Sequence, residues 1–204
     1  MDVDEPAAGR RGSAERAIAV FCGARHGNDP AFAALARETG RGIAERGWLL
    51  VYGGASIGLM GELADAALAH GGRVLGVIPQ RLLAKEVGHD GLSRLEVVTD
   101  MAVRKTRMIA VADGFLILPG GFGTLDELFE IVTLRQIGLH RKPIVLCDPG
   151  GYWEPLLAAC GGLVAAGLAS PVDLASMEVC RSPREALDRL GEGPLSTDSA
   201  ERLG

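Results

Sequence analysis

The sequence predicts a single α/β domain built as a Rossmann-like doubly wound parallel sheet flanked by helices. Short apolar runs alternate with helix-patterned stretches along most of the chain, which is the signature of strand-helix-strand units. Glycine-rich turns stand where strand-to-helix connections are needed, and 204 residues suit one sizeable core.

The strands fall at 17–22, 48–52, 73–78, 114–118, 143–147 and 177–180, with a further short one at 95–98. Most are apolar throughout rather than alternating, as strands covered on both faces are. Helices fall between them at 30–46, 58–70, 101–112, 124–139 and 152–166. With the 95–98 strand set aside, a doubly wound sheet runs third, second, first, fourth, fifth strand. The 17–22 and 114–118 strands then meet at the switch point, and a ligand is expected beyond their carboxyl ends. Residues 1–16 and 191–204 are polar and rich in Gly, Pro and Ser, so they read as mobile tails around a domain at 17–190.

Composition excludes several classes of function. A net charge of -5 and only 4% aromatic residues leave neither a basic stripe nor stacking platforms for nucleic acid. Cys22, Cys147, Cys160 and Cys180 form no CxxC pair and no ligand spacing with the histidines, which argues against a zinc site or a disulfide framework. No apolar stretch reaches the roughly 18 residues of a spanning helix, and the charged start has no secretory core. The expectation is a cytoplasmic protein with no membrane attachment.

The most informative segment is Pro119-Gly-Gly-Phe-Gly-Thr-Leu-Asp-Glu127, placed between the strand at 114–118 and a helix-patterned stretch. Gly120, Gly121 and Gly123 let backbone N–H groups approach an anion, and the helix start adds unpaired donors and a positive dipole end. Thr124 adds a hydroxyl, and Glu127 follows one turn later. Two readings of that pair are open. Thr124-x-x-Glu127 fits a capping box, and it equally fits a carboxylate aimed at whatever carries the phosphate. An apolar stripe of Leu125, Leu128, Phe129 and Val132 sets Glu127 beside the core face, free to point at the loop.

Other residues have plainer readings. His26 lies in the first ligand-facing loop and is read as solvated rather than as a phosphate ligand. Asp126 and Glu130 are read as acids favoured by the helix dipole rather than as a catalytic dyad. The turn Gly53-Gly54-Ala55-Ser56 fits either a ligand-facing loop or a tight connection. Apart from any resemblance, Arg104, with Lys105 and Arg107 alongside, reads as a solvated or ion-paired helix residue.

Taken together, VFCGARHGNDP at 20–30, YGGASIGLMGE at 52–62, VIP at 77–79, MAVRKTRM at 101–108, PGGFGTLDE and the downstream LRQIGLHRKPIVL resemble the LOG family. These phosphoribohydrolases release free cytokinin bases from nucleoside monophosphates, and long carried a lysine decarboxylase label. The resemblance spans about residues 17 to 180. It implies a Rossmann-like fold, a homodimer or higher homo-oligomer, and hydrolysis of the N-glycosidic bond of a purine nucleoside 5′-monophosphate such as AMP, with no metal or organic cofactor.

Carried over to this chain, the resemblance implies Arg104 and Glu127 as the catalytic pair, and Gly23, Met101, Lys105, Gly120, Gly121, Gly123 and Thr124 as substrate-binding residues. The first loop departs from the family's CGSS: here it reads Cys22-Gly23-Ala24-Arg25, which loses hydroxyls and gains a guanidinium. The second loop has Ala55 where the family's GGGS has its third glycine.

The chemistry is consistent with those roles. Cleaving a ribose–purine bond passes through a cationic sugar, by analogy with glycoside hydrolysis, so a nearby carboxylate serves either as electrostatic stabiliser or as general base. Arg104 is permanently charged and suits orienting phosphate or the leaving base, not donating a proton. Decarboxylation through pyridoxal needs a Schiff-base lysine, and Lys85, Lys105 and Lys142 lie in no such motif. The alternative is a non-catalytic carrier or sensor of a phosphorylated cofactor, such as a molybdopterin-type ligand. A nonspecific purine nucleotide nucleosidase is a third reading.

Overall fold

The computed structural model describes residues 15–86 and 88–193. In chain order the elements are β1 Ala17–Phe21, α1 Pro30–Glu45, β2 Leu49–Tyr52, α2 Gly58–Ala69, β3 Arg73–Pro79, α3 Gln80–Glu86, β4 Arg94–Val98, α4 Met101–Val111 and β5 Gly114–Ile117. They continue with α5 Phe122–Gln136, β6 Ile144–Cys147, α6 Glu154–Ala165, α7 Pro171–Ala175, β7 Met177–Cys180 and α8 Pro183–Glu192. The seven strands form one parallel sheet in the order β4-β3-β2-β1-β5-β6-β7.

Alternation along each strand divides the core in two. Ile18 and Val20 of β1, with Leu50 and Tyr52 of β2, pack with Leu35 and Ile43 of α1, Leu59 and Leu63 of α2 and Leu187 and Leu190 of α8. Ala17, Ala19 and Phe21, with Leu49 and Val51, face Met108 of α4, Leu128 and Ile131 of α5 and Cys160 of α6. All four residues of β2 are fully buried, each large side chain contributing roughly 1.5–3 kcal/mol. This two-sided burial is what made the strands read as unbroken apolar runs.

Helix starts follow local chemistry. Asp29 accepts from Ala31 N ahead of Pro30, and Asp100 accepts from Val103 N at the head of α4. At the domain's base, the Arg16 guanidinium donates to the carbonyls of Leu190 (2.8 Å) and Gly193 (2.7 Å) and lies over Trp48. Glu15, Arg16 and residues 191–193 therefore belong to the folded domain, whereas the rest of the expected tails, 1–14 and 194–204, lies outside the described residues.

β1 and β5 are neighbours whose following helices cover opposite faces, so a crevice opens at their carboxyl ends. Two backbone bonds lace its floor: Leu118 N to Phe21 O at 3.0 Å and Gly23 N to Pro119 O at 3.1 Å.

Candidate active site

A cleft of about 690 Å³ occupies this crevice. Its wall carries Gly23, Met101, Arg104, Gly120, Gly121, Gly123, Thr124 and Glu127, so eight of the nine residues that the resemblance implied converge there, from the loop after β1, from α4, and from the glycine loop and first turns of α5. Lys105 is the exception. Its ammonium lies 2.9 Å from both Asp126 Oδ2 and Glu130 Oε2, which bridges α4 to α5 beside the cleft.

The glycine loop runs into α5 two residues earlier than the pattern indicated. Gly121 is the N-cap and Phe122 the first helical residue, with Leu125 N closing the first turn onto Gly121 O at 3.1 Å. Thr124 and Glu127 are thus interior helical residues, and the capping box does not form. Among the described residues, the amides of Gly121, Phe122, Gly123 and Thr124 have no protein acceptor, which leaves an array of donors at the positive end of a 15-residue helix. A Cβ at Gly120 would sit 2.1 Å from Thr124 Oγ1, so the loop folds tightly over that hydroxyl. At Gly121 and Gly123 a Cβ would meet nothing within 4 Å.

The expected stripe on α5 holds at Leu128, with Leu125 and Val132 partly buried against the core, and fails at Phe129, which is exposed; Thr124, Glu127 and Ile131 are buried as well. Glu127 lies within the buried face, not beside it, because that face continues past the apolar core into the cleft. Burial pushes its carboxyl from the ordinary 4.5 up to about 7, with Arg104 pulling it back and Asp126 pushing it further. No hydrogen bond or ion pair from the described residues holds this carboxyl.

Arg104 is 5% exposed. Its Nη2 donates to Gly53 O at 3.2 Å, its Nη1 lies 3.6 Å from Met101 Sδ, and Nε has no partner. Gly53 is required by this approach: a Cβ there would stand 1.9 Å from Nη2. The second glycine turn is therefore part of the site rather than only a connection. A buried cation with an unused donor and a buried acid with no donor face one cavity, an arrangement that protein alone leaves unsatisfied.

Several wall residues escaped the sequence reading. Tyr152 donates its hydroxyl to Gly120 O at 2.7 Å and packs edge-on against Phe32, and Phe122 is almost wholly exposed at the rim. Asp148, at the carboxyl end of β6, accepts from the amides of Tyr152 (2.6 Å) and Trp153 (3.0 Å). An acid directly after an apolar strand was the available signal for that cluster. His26 contacts Glu62 at 3.2 Å, and Arg37 holds the same carboxylate, so the histidine is neither simply solvated nor free. Cys22 lines the floor with its thiol pushed up by burial and by Glu127, and it stays neutral.

Lys142 is engaged with the Ile109 carbonyl, and Lys105 with its two acids. Among the described residues no three His, Cys, Asp or Glu side chains gather as a metal site, and no helix is long and apolar enough to cross a membrane.

Residues 60–190 match the family described as "Possible lysine decarboxylase". The cytokinin riboside 5′-monophosphate phosphoribohydrolase of Rhodococcoides fascians is 43% identical over 173 residues, covering 84% of this chain and 87% of its own. The Arabidopsis thaliana protein of that name, LOG7, is 45% identical over 156 residues, 76% of this chain and 71% of its own. Among solved structures, the molybdenum cofactor carrier protein of Chlamydomonas reinhardtii superposes with a TM-score of 0.65 at 21% identity, over 87% of this chain and 97% of that one. That likeness concerns the fold.

Proposed function

Because the chain belongs to the cytokinin riboside 5′-monophosphate phosphoribohydrolase family, we propose that its cleft hydrolyses the N-glycosidic bond of purine nucleoside 5′-monophosphates, releasing free base and ribose 5-phosphate. The observation that carries the reading is the buried, unpartnered Glu127 carboxyl sharing a cavity with Arg104 and with the open amides of α5.

In this mechanism the 5′-phosphate is gripped by the amides of Gly121, Gly123 and Thr124 and by the Thr124 hydroxyl. Gly23 and Met101 line the rest of the pocket, and Lys105 supports it from the flank. Glu127 faces C1′. As the C1′–N bond breaks, its electron pair leaves with the base, and the carboxylate offsets the positive charge on the sugar. A water oxygen bonds to C1′ and gives its proton to Glu127, whose affinity for protons near neutrality suits a general base. Arg104 steers the leaving base or the phosphate. The departing base takes up a proton from solvent.

The protein acts in the cytoplasm as a homodimer or larger homo-oligomer. The four free cysteines fit a reducing compartment, and the exposed Met101, Val103 and Phe129 on α4 and α5 offer apolar surface for association.

A base-release assay on AMP and an isopentenyl-adenine nucleotide tests the activity. Glu127→Gln should lower turnover by about a hundredfold or more while the protein stays folded. Tight nucleotide or pterin binding with no release of base across the panel would instead identify a carrier.

A further inference from the structure

We propose that Tyr152 is a positioning residue for the phosphate cradle, acting as a clamp on the Gly120–Gly121 peptide; this rests on the reading of that loop as a phosphate site.

The argument is geometric. A trans peptide is planar, so its C=O and N–H point in opposite directions, and the described chain holds no cis peptides. Fixing the Gly120 carbonyl therefore fixes the direction of the Gly121 amide. Glycine on both sides of that bond removes the Cβ barriers that ordinarily hold a peptide plane, so the plane can turn over cheaply. The Tyr152 hydroxyl, 2.7 Å from Gly120 O, supplies the restraint the glycines lack. It turns the carbonyl toward the tyrosine and the Gly121 amide away from it, with no acceptor for that amide among the described residues.

The tyrosine is itself held from behind. Asp148, 1% exposed, accepts from the amides of Tyr152 and Trp153, and the Tyr152 ring packs edge-on against Phe32 (5.3 Å) and Trp153 (4.8 Å). A chain of contacts thus runs from the end of β6 through Asp148 and Tyr152 to a single amide of the cradle. Nothing in it touches Glu127 or Arg104, so its loss acts on phosphate affinity rather than on bond cleavage.

Tyr152→Phe keeps the ring contacts and removes only the hydroxyl. Titration with inorganic phosphate and with ribose 5-phosphate should show affinity falling roughly five- to tenfold, the worth of one neutral hydrogen bond. KM for AMP should rise by the same factor, with kcat changed less than twofold and the thermal midpoint held. Phosphate affinity equal to wild type would overturn the clamp, as would a fall in kcat at unchanged KM. The two proposals separate cleanly. Wild-type protein that binds phosphate but frees no base overturns the hydrolase reading, and the phosphate titrations still decide the clamp.

Discussion

Replacing Glu127 with glutamine should stabilise the ligand-free protein, and only above a defined pH. In the fold this carboxyl ionises near pH 7, and in an unfolded chain near its ordinary 4.5, because burial disfavours the charged form more than Arg104 favours it. The folded state thus binds the proton more tightly. Its advantage is complete below about pH 4.5 and lost as pH rises to about 7. At 1.36 kcal/mol per pH decade the gap corresponds to about 3 kcal/mol, without discount for solvent since Glu127 is 8% exposed. Glutamine has nearly the same shape and no charge to desolvate, so Glu127→Gln lacks the step. Urea unfolding of both proteins in phosphate-free buffers from pH 4.5 to 8.5 measures it. The curves should coincide near pH 4.5 and diverge to about 3 kcal/mol above pH 7, or roughly 6–12 °C in Tm for a domain of this size. A pH-independent difference, or a wild type that is the more stable at pH 8, would refute the reasoning, since it would mean that Arg104 already satisfies the ionised acid.

Three further outcomes follow from neighbouring contacts. Gly53→Ala would drive a methyl into the Arg104 guanidinium and displace it from the Gly53 carbonyl, so base release should fall at least about tenfold while the unfolding midpoint in urea moves little. Lys105→Met leaves Asp126 and Glu130 uncompensated beside Glu127; it should cost about 1 kcal/mol or less in stability and shift the Glu127 step to higher pH, with KM for AMP changed less than about threefold. Arg16→Ala removes two charge-assisted bonds to the end of α8 and the contact with Trp48, and chemical denaturation should register a loss of about 1–3 kcal/mol with no change in turnover.

The sheet was legible because burial on both faces leaves a simple trace in sequence: runs such as Leu49–Tyr52 carry no polar residue. Short elements left weaker traces. α7 is five residues long, and α8 begins at a Ser182-Pro183 start in a part of the domain where the sequence showed no element, only its last two residues falling in the expected tail. The glycine loop announced its chemistry through residue types alone, yet the placement of Glu127 did not follow from periodicity. Hydrophobic pattern records burial against apolar neighbours, and Thr124 and Glu127 are buried against a cavity. Tyr152 was invisible for another reason: its role depends on a contact 32 residues away in the chain, which no local pattern encodes.

Gly123 occupies the first turn of α5, where alanine would favour the helix by up to about 1 kcal/mol and would strike no protein atom. The same open space lies over Gly121. Selection for thermal hardiness alone would accordingly enrich alanine at 123 and yield a sturdier molecule whose fault surfaced only on meeting its ligand. Directed evolution of this scaffold must keep binding under selection at every round, or it will erase a surface that the fold itself has no use for.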